Sequence, residues 1–214
     1  MTYPVLALLT GLPVPFRDGE QSAIAKAPRE GILRIGPEGI AGDHQADRLH
    51  HGGADKALHH YAFDHYPAWR AELGDHPLLE TVGAFGENIA TLGLTEDQVW
   101  LGDRFRLGTA LIEVSHGRQP CWKLGHRLGN PAVAAQIVRN GRCGWYYRVL
   151  EAGEAQAGDT LVCVERGLED WPVSRLFHVV IGGGHKADRG VLADLAALPV
   201  LAQAWRKRAA ELAA

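Results

Sequence analysis

Cysteine is too scarce in this chain to staple a fold. Only Cys121, Cys143 and Cys163 are present, an odd number with no CxxC pair. That excludes a disulfide framework and points to a reducing cytoplasm. Long apolar runs are missing too. No stretch approaches the ~20 residues that span a bilayer, and prolines interrupt Tyr3 to Val14, which also lacks the basic start of a signal peptide. Neither sign of charge dominates: the formal net charge is −3 and the sequence pI about 6.4, which argues against nucleic acid or an anionic membrane as partner. Dinucleotide, P-loop, nucleophile-elbow and kinase motifs are absent, as are HExxH and paired Cys/His zinc spacings.

What is present is a strand-and-turn pattern over the first three quarters. Val5 to Leu9, Ile32 to Ile35, Ala57 to Ala62, Trp145 to Leu150 and Thr160 to Val164 are short apolar runs bounded by turn residues. Arg104 to Leu107, Gly108-Thr109 and Ala110 to Val114 form a hairpin pattern. Many short strands with Gly-rich turns predict a barrel or sandwich. Helical spacing appears over His65 to Leu73, over Trp122 to Leu128 and after Asn130-Pro131. Beyond Arg166 the pattern turns helical. Asp170 is placed to cap a helix from Trp171 to Ile181, Asp188 one from Val191 to Leu198, and Pro199 to start a third. The expected division is a β domain over residues 1–166 and a three-helix domain over 167–214. The helices alone are too few to hold a large core, so they should dock on the β body; their apolar face also offers a surface on which two copies could pair.

Four segments hold candidate chemistry. In Val114 to Leu124 a strand is expected to enter a polar loop that ends at Cys121, just before a short helix. Oriented N–H dipoles and the charges of Arg118 and Lys123 favour thiolate there, the form that binds a soft metal or attacks an electrophile. A buried cysteine acting as a small hydrophobe is the alternative. The stretch Gly39 to Ala57 carries glycines whose N–H groups can approach an anion, with Arg48 and Lys56 to neutralise it; a solvated loop is the alternative. Phe85-Gly86-Glu87-Asn88 sets two hydrogen-bonding side chains beside a glycine, and is otherwise an ordinary turn. Gly141 to Val149 alternates aromatics, which read as sheet packing. Six of the eleven histidines fall between His44 and His65. His59 and His60 should point to opposite faces if they lie on a strand.

In order, these pieces resemble the MOSC family, named for the C-terminal domain of molybdenum-cofactor sulfurases, and within it the bacterial YiiM-like group. The matching pieces are Ser22 to Lys26, Gly42-Asp43, His51-Gly52-Gly53 with Asp55-Lys56-Ala57, Phe85 to Asn88, Val114-Ser115 with Arg118 and Pro120-Cys121, and Gly144-Trp145. The resemblance spans residues 2 to 166. It implies a mainly β fold, a MOSC-type barrel core with a few helices, followed by a small three-helix domain. It implies molybdenum cofactor in a pocket, with Cys121 as metal ligand and catalytic residue. His51, Gly52, Gly53, Lys56 and Arg118 would hold the phosphate and pterin, and Glu87 and Asn88 the pterin or substrate. Pyridoxal phosphate is a second ligand left open. Relatives in the family reduce N-hydroxylated nucleobases and amidoximes. No flavin, haem or iron–sulfur motif is present, so an external electron-donor protein is implied. His51 or His59 would supply a proton. His116-Gly117 departs from the family's usual loop and should leave it less rigid. Three other readings stay open: a cofactor or sulfur carrier, a metal-free enzyme with Cys121 as nucleophile and His116 as base, and zinc binding by the histidine-rich loop.

Overall fold

Seven strands close on themselves in the computed structural model, which describes residues 1–47 and 52–214. They are β1 (Thr2–Thr10), β2 (Leu58–Ala62), β3 (Ile89–Thr91), β4 (Arg104–Leu107), β5 (Ala110–Gly117), β6 (Trp145–Glu151) and β7 (Thr160–Glu165). The order around the barrel is β1-β7-β4-β5-β6-β2-β3, and β3 returns to β1. An odd number of strands cannot all alternate around a closed ring, and the one parallel pair is β2–β3. Closure leaves no long unpaired edge in the ring. A small ribbon, Val14–Pro15 with Gln21–Ser22, stands beside it, and Leu33–Gly36 pairs with Gly39–Ile40 and Gly153–Ala155.

The β4–β5 hairpin forms as its sequence predicts, with Ala110 opposite Leu107. β5 then runs further than its sequence suggests. His116 pairs with Tyr146 and Gly117 with Trp145, after a register shift between Val114 and His116. The expectation of a loosened loop at His116-Gly117 is therefore corrected: both residues belong to the sheet, and a Cβ on Gly117 would lie only 3.4 Å from the Trp205 ring. The loop to Cys121 is just Arg118 to Pro120.

Inside, Leu58, Phe105, Leu107, Ile112, Val114, Tyr147 and Leu161 are fully buried or nearly so. Each such side chain stabilises the fold by roughly 1.5–3 kcal/mol. The helices cover the barrel: α1 (Tyr66–Leu73), α2 (Trp122–Arg127), α3 (Val133–Asn140), α4 (Val173–Val180), α5 (Gly190–Ala197) and α6 (Gln203–Ala213). Several begin later than the sequence suggests. Asn130 caps a turn by accepting from Ala132 N–H at 2.9 Å, and α3 starts after it. Asp170 caps nothing: Pro172 sits at the N-cap of α4, while Val173 N–H donates to Val99 C=O and Leu101 N–H to Trp171 C=O. Pro199 belongs to a turn before α6. As the sequence implies, the C-terminal helices dock on the β body: Val173, Leu176, Phe177 and Trp205 share one continuous core with the barrel. No helix among the described residues is long and apolar enough to cross a membrane.

Candidate functional site

Strand alternation decides the fate of the two adjacent histidines. On β2, His60 turns inward, 3.0 Å from the Tyr147 hydroxyl and 2.8 Å from Thr91 Oγ1. His59 turns to the other face and lines a cleft of about 610 Å³. The cleft is walled by the Ser22 to Lys26 segment, by His44 to Asp47, by Phe85, Gly86 and Asn88, and by Lys56, Arg118, Cys121, Lys123 and Tyr146. Elements distant in sequence thus converge here, and Lys56, Arg118 and Cys121 share one cleft.

Cys121 is half-buried and stands at the N-cap of α2 in extended backbone, making no capping hydrogen bond. It lines the cleft, and the helix start does not depend on its side chain. Arg118, three residues earlier, leaves the end of β5. Its backbone N–H donates to Gly144 C=O at 2.9 Å, and its positive charge partly offsets the upward push of burial on the pKa of the Tyr146 hydroxyl. The residue is buried, yet its Nη1 meets no hydrogen-bond partner among the described residues. A buried donor left this way is costly unless a ligand satisfies it.

Three ammonium groups share the wall. Lys26 Nζ lies 2.6 Å from Asp43 Oδ2; burial pushes its pKa down, opposed by that carboxylate. Lys56 closes a 3-10 turn, Ala54–Lys56, and is also pushed down by burial, against Asp47 and Asp55. Lys123 is buried, donating to Gln21 C=O at 3.3 Å. With Arg118, four cationic side chains stand against three carboxylates, Asp43, Asp47 and the half-exposed Glu20, which lies 3.6 Å from Lys123 Nζ. The cleft therefore favours an anion although the chain as a whole is slightly acidic.

Glu87 and Asn88 stand differently toward the cleft. Glu87 does not line it. Its carboxylate accepts from Tyr66 Oη and Gly83 N–H, both at 2.6 Å, and from Phe85 N–H at 3.1 Å. The Asn88 side chain lines the cleft, but its amide donates to Leu9 C=O and Asp43 Oδ2 and accepts from His59 N–H. Both residues hold the wall in shape. Gly52 and Gly53 lie outside the cleft lining, Gly53 at φ +99° before the Lys56 turn. His51, like Arg48, lies outside the described residues.

His59 cannot serve as a charged acid near neutral pH. Burial first, then the neighbouring Arg118, holds its pKa well below the ordinary histidine value. His116 is likewise no base for Cys121. It sits off the cleft, fully buried, 2.9 Å from Ser115 Oγ and stacked on Tyr146, and burial holds its pKa near 3. Among the described residues no three His, Cys, Asp or Glu side chains converge to hold a metal; Cys121 is the soft donor in the cleft.

Sequence reasoning overlooked Lys26, Asp43 and Tyr146 as members of this site. The only available signal for Lys26 and Asp43 was their place in the two glycine- and lysine-bearing segments; nothing local pairs them across 17 residues.

Residues 47–162 match the MOSC domain. The chain is 42% identical to Protein YiiM of Escherichia coli (strain K12) over 166 residues, 78% of this chain and 74% of that protein. It is 38% identical over 180 residues to a protein named Reductase from Gibberella moniliformis, spanning 84% of this chain but 32% of that longer protein. In structure it is similar to YiiM from Geobacillus stearothermophilus, with TM-score 0.83 at 31% identity over 99% of this chain and 100% of the other. YiiM from Escherichia coli gives TM-score 0.81, also at 31% identity, over 99% and 92%.

Proposed function

The chain belongs to the MOSC family, and on that premise we propose that it binds molybdenum cofactor through Cys121 and reduces N-hydroxylated compounds. One observation carries this reading: a half-buried cysteine opens onto a cationic cleft in which a buried guanidinium nitrogen, Arg118 Nη1, has no partner among the described residues. A soft sulfur donor beside an anion-binding wall is the donor set that a dithiolene-bound, phosphate-bearing molybdenum group requires. The residues present fit that group.

When bound, the cofactor supplies the two-electron removal of oxygen from N–OH, giving amine or amidine and water, with electrons from an external donor protein. The chain's own residues do the rest. Cys121 offers thiolate sulfur. Arg118, Lys56 and Lys26 hold negative charge. Lys123 ties the Gln21 ribbon over the cleft. Phe85 offers an apolar wall to a planar heterocycle. His59 enters as a neutral ring. The hydroxyl of Tyr146, near the charge of Arg118, is an uncharged proton donor on the cleft wall. The Gibberella protein named Reductase supports redox chemistry.

The reading is tested by expressing the chain and Cys121→Ala in a host that makes molybdenum cofactor, then measuring metal by mass spectrometry and released pterin by fluorescence. Molybdenum and pterin in the wild type, with molybdenum lost from the variant, are expected. Neither in the wild type, under conditions that load a control molybdoenzyme, would sink it. Loaded protein that turns over no N-hydroxylated nucleobase or amidoxime with chemical reductant would instead be a carrier.

A further inference from the structure

Asp55 and Lys56 are neighbours in sequence that face opposite ways. Lys56 lines the cleft. Asp55 turns to the C-terminal helices and is held there on three sides. Its Oδ1 lies 2.9 Å from Arg148 Nε and 2.8 Å from Arg148 Nη2. Its Oδ2 accepts from Gln203 N–H, the first residue of α6, at 3.2 Å. Its backbone C=O accepts from Ser115 Oγ at 2.6 Å. The same groups are tied to the tail again: Arg148 Nη1 donates to Val200 C=O at 2.9 Å and Ala202 N–H donates to Ser115 C=O at 3.1 Å.

We propose that Asp55 is the positioning residue for Lys56, and that the C-terminal helices thereby form part of the binding site without touching its ligand. The segment before Asp55 is Gly52-Gly53, with Gly53 in the left-handed region of φ, a backbone with little resistance of its own to bending. The fixed point of the Lys56 turn is therefore Asp55. Simple docking of helices on a barrel needs apolar contact, which Val173, Phe177 and Trp205 already provide. It does not need a bidentate ion pair one residue from a cleft cation.

This inference rests on Lys56 being a ligand-facing cation, as in the function proposed above, so its test carries a readout that needs no cofactor. Asp55→Asn keeps the shape of the side chain and removes the charge. Gln203→Pro removes only the tail's N–H; proline is accepted at a first helical position, and Ala202 before it is already extended at ψ 137°. Binding of inorganic pyrophosphate to the full chain is measured by calorimetry for both variants, alone and with Lys56→Ala. Each variant is expected to weaken binding about tenfold, about 1.4 kcal/mol, and to have no effect once Lys56 is gone. Equal weakening with and without Lys56 would overturn the proposal.

The chain has five lysines, so reductive ¹³C-methylation gives a second readout. The Lys56 signal should titrate below the ordinary lysine value, as burial of its ammonium dictates, and move back toward that value in Gln203→Pro. If it stays in place in both variants, the positioning role is wrong whatever binds. Absence of pyrophosphate binding in the wild type, with a Lys56 signal that does move, would count against the cofactor reading alone.

Discussion

The Tyr66 hydroxyl and the Glu87 carboxylate lie 2.6 Å apart, and together they satisfy the turn that walls the cleft. Tyr66 Oη also accepts from Gly83 and Ala84 N–H, both at 3.1 Å. Glu87 Oε1 takes Gly83 N–H as well, and Oε2 takes Phe85 N–H. Every group Glu87 meets is a donor, so a carboxylate fits where an amide does not. Glu87→Gln turns an N–H₂ toward a backbone N–H and should cost about 1–3 kcal/mol. Glu87→Ala, leaving several buried donors short of an acceptor, should cost about 3–5 kcal/mol. Urea midpoints measure both. A Glu87→Gln protein of unchanged stability that no longer retains cofactor would restore the direct ligand role expected from the sequence.

His60 and His116 make the fold acid-sensitive. Burial holds each pKa near 3, against an ordinary value of 6.5. The folded state keeps both rings neutral, whereas the unfolded chain protonates them below 6.5. Their contribution is therefore fully present above pH 6.5 and is lost progressively as pH falls toward 3. Each group contributes a slope of about 1.4 kcal/mol per pH unit within that window. Unfolding free energy should fall with pH between 6.5 and 4, and His60→Gln, which retains polar atoms toward Tyr147 and Thr91, should flatten the slope by one proton. A wild type equally stable at pH 7 and pH 4.5 would contradict both assignments.

Local pattern carried much of this architecture. The Arg104 to Val114 hairpin, the opposed faces of His59 and His60, and the docking of the helical segment all follow from period, turn residues and core size. Arg118, Lys56 and Cys121 were legible as chemistry because charge and sulfur stand in short polar segments. What escaped was set by distant pairing. Ser115-His116-Gly117 has little strand preference of its own, and joins the sheet because Tyr146 and Trp145 lie opposite. Lys26 becomes a site residue through Asp43 and Asn88, a contact no local spacing encodes. Glu87 looks the same in a turn that binds a heterocycle and in one that only holds its own N–H groups; its partner Tyr66 lies on another element.

Arg118 should show opposite effects on stability and on binding. Its buried Nη1 lacks a partner among the described residues, and an incompletely satisfied buried charge destabilises the ligand-free fold. Arg118→Met keeps the stem's volume and removes that burden. The cofactor-free variant should melt at or above the wild-type temperature, while molybdenum and pterin content in a cofactor-making host falls at least tenfold. Loss of stability together with undiminished cofactor would mean that Arg118 is a structural cation and that the anion is held elsewhere.

Gly144 links this cation to the barrel. Its C=O receives Arg118 N–H, and its own N–H donates to Glu96 Oε1 at 2.7 Å. Its φ is +69°, and a Cβ there would lie about 2.4 Å from His60 C=O and 2.9 Å from His59 Nε2. Gly144→Ala therefore adds a steric collision with fixed backbone to the left-handed strain. Gly129 has nearly the same φ, +65°, with nothing within 4 Å of the added carbon. Gly129→Ala should cost about 1 kcal/mol, the conformational part alone. Gly144→Ala should cost about 2–4 kcal/mol, with overpacking added, and should lower anion binding by displacing Arg118. Thermal denaturation and pyrophosphate calorimetry on the two variants separate these effects. Equal destabilisation by both would show that the space around Gly144 is looser than these distances state, and that Arg118 is seated by other contacts.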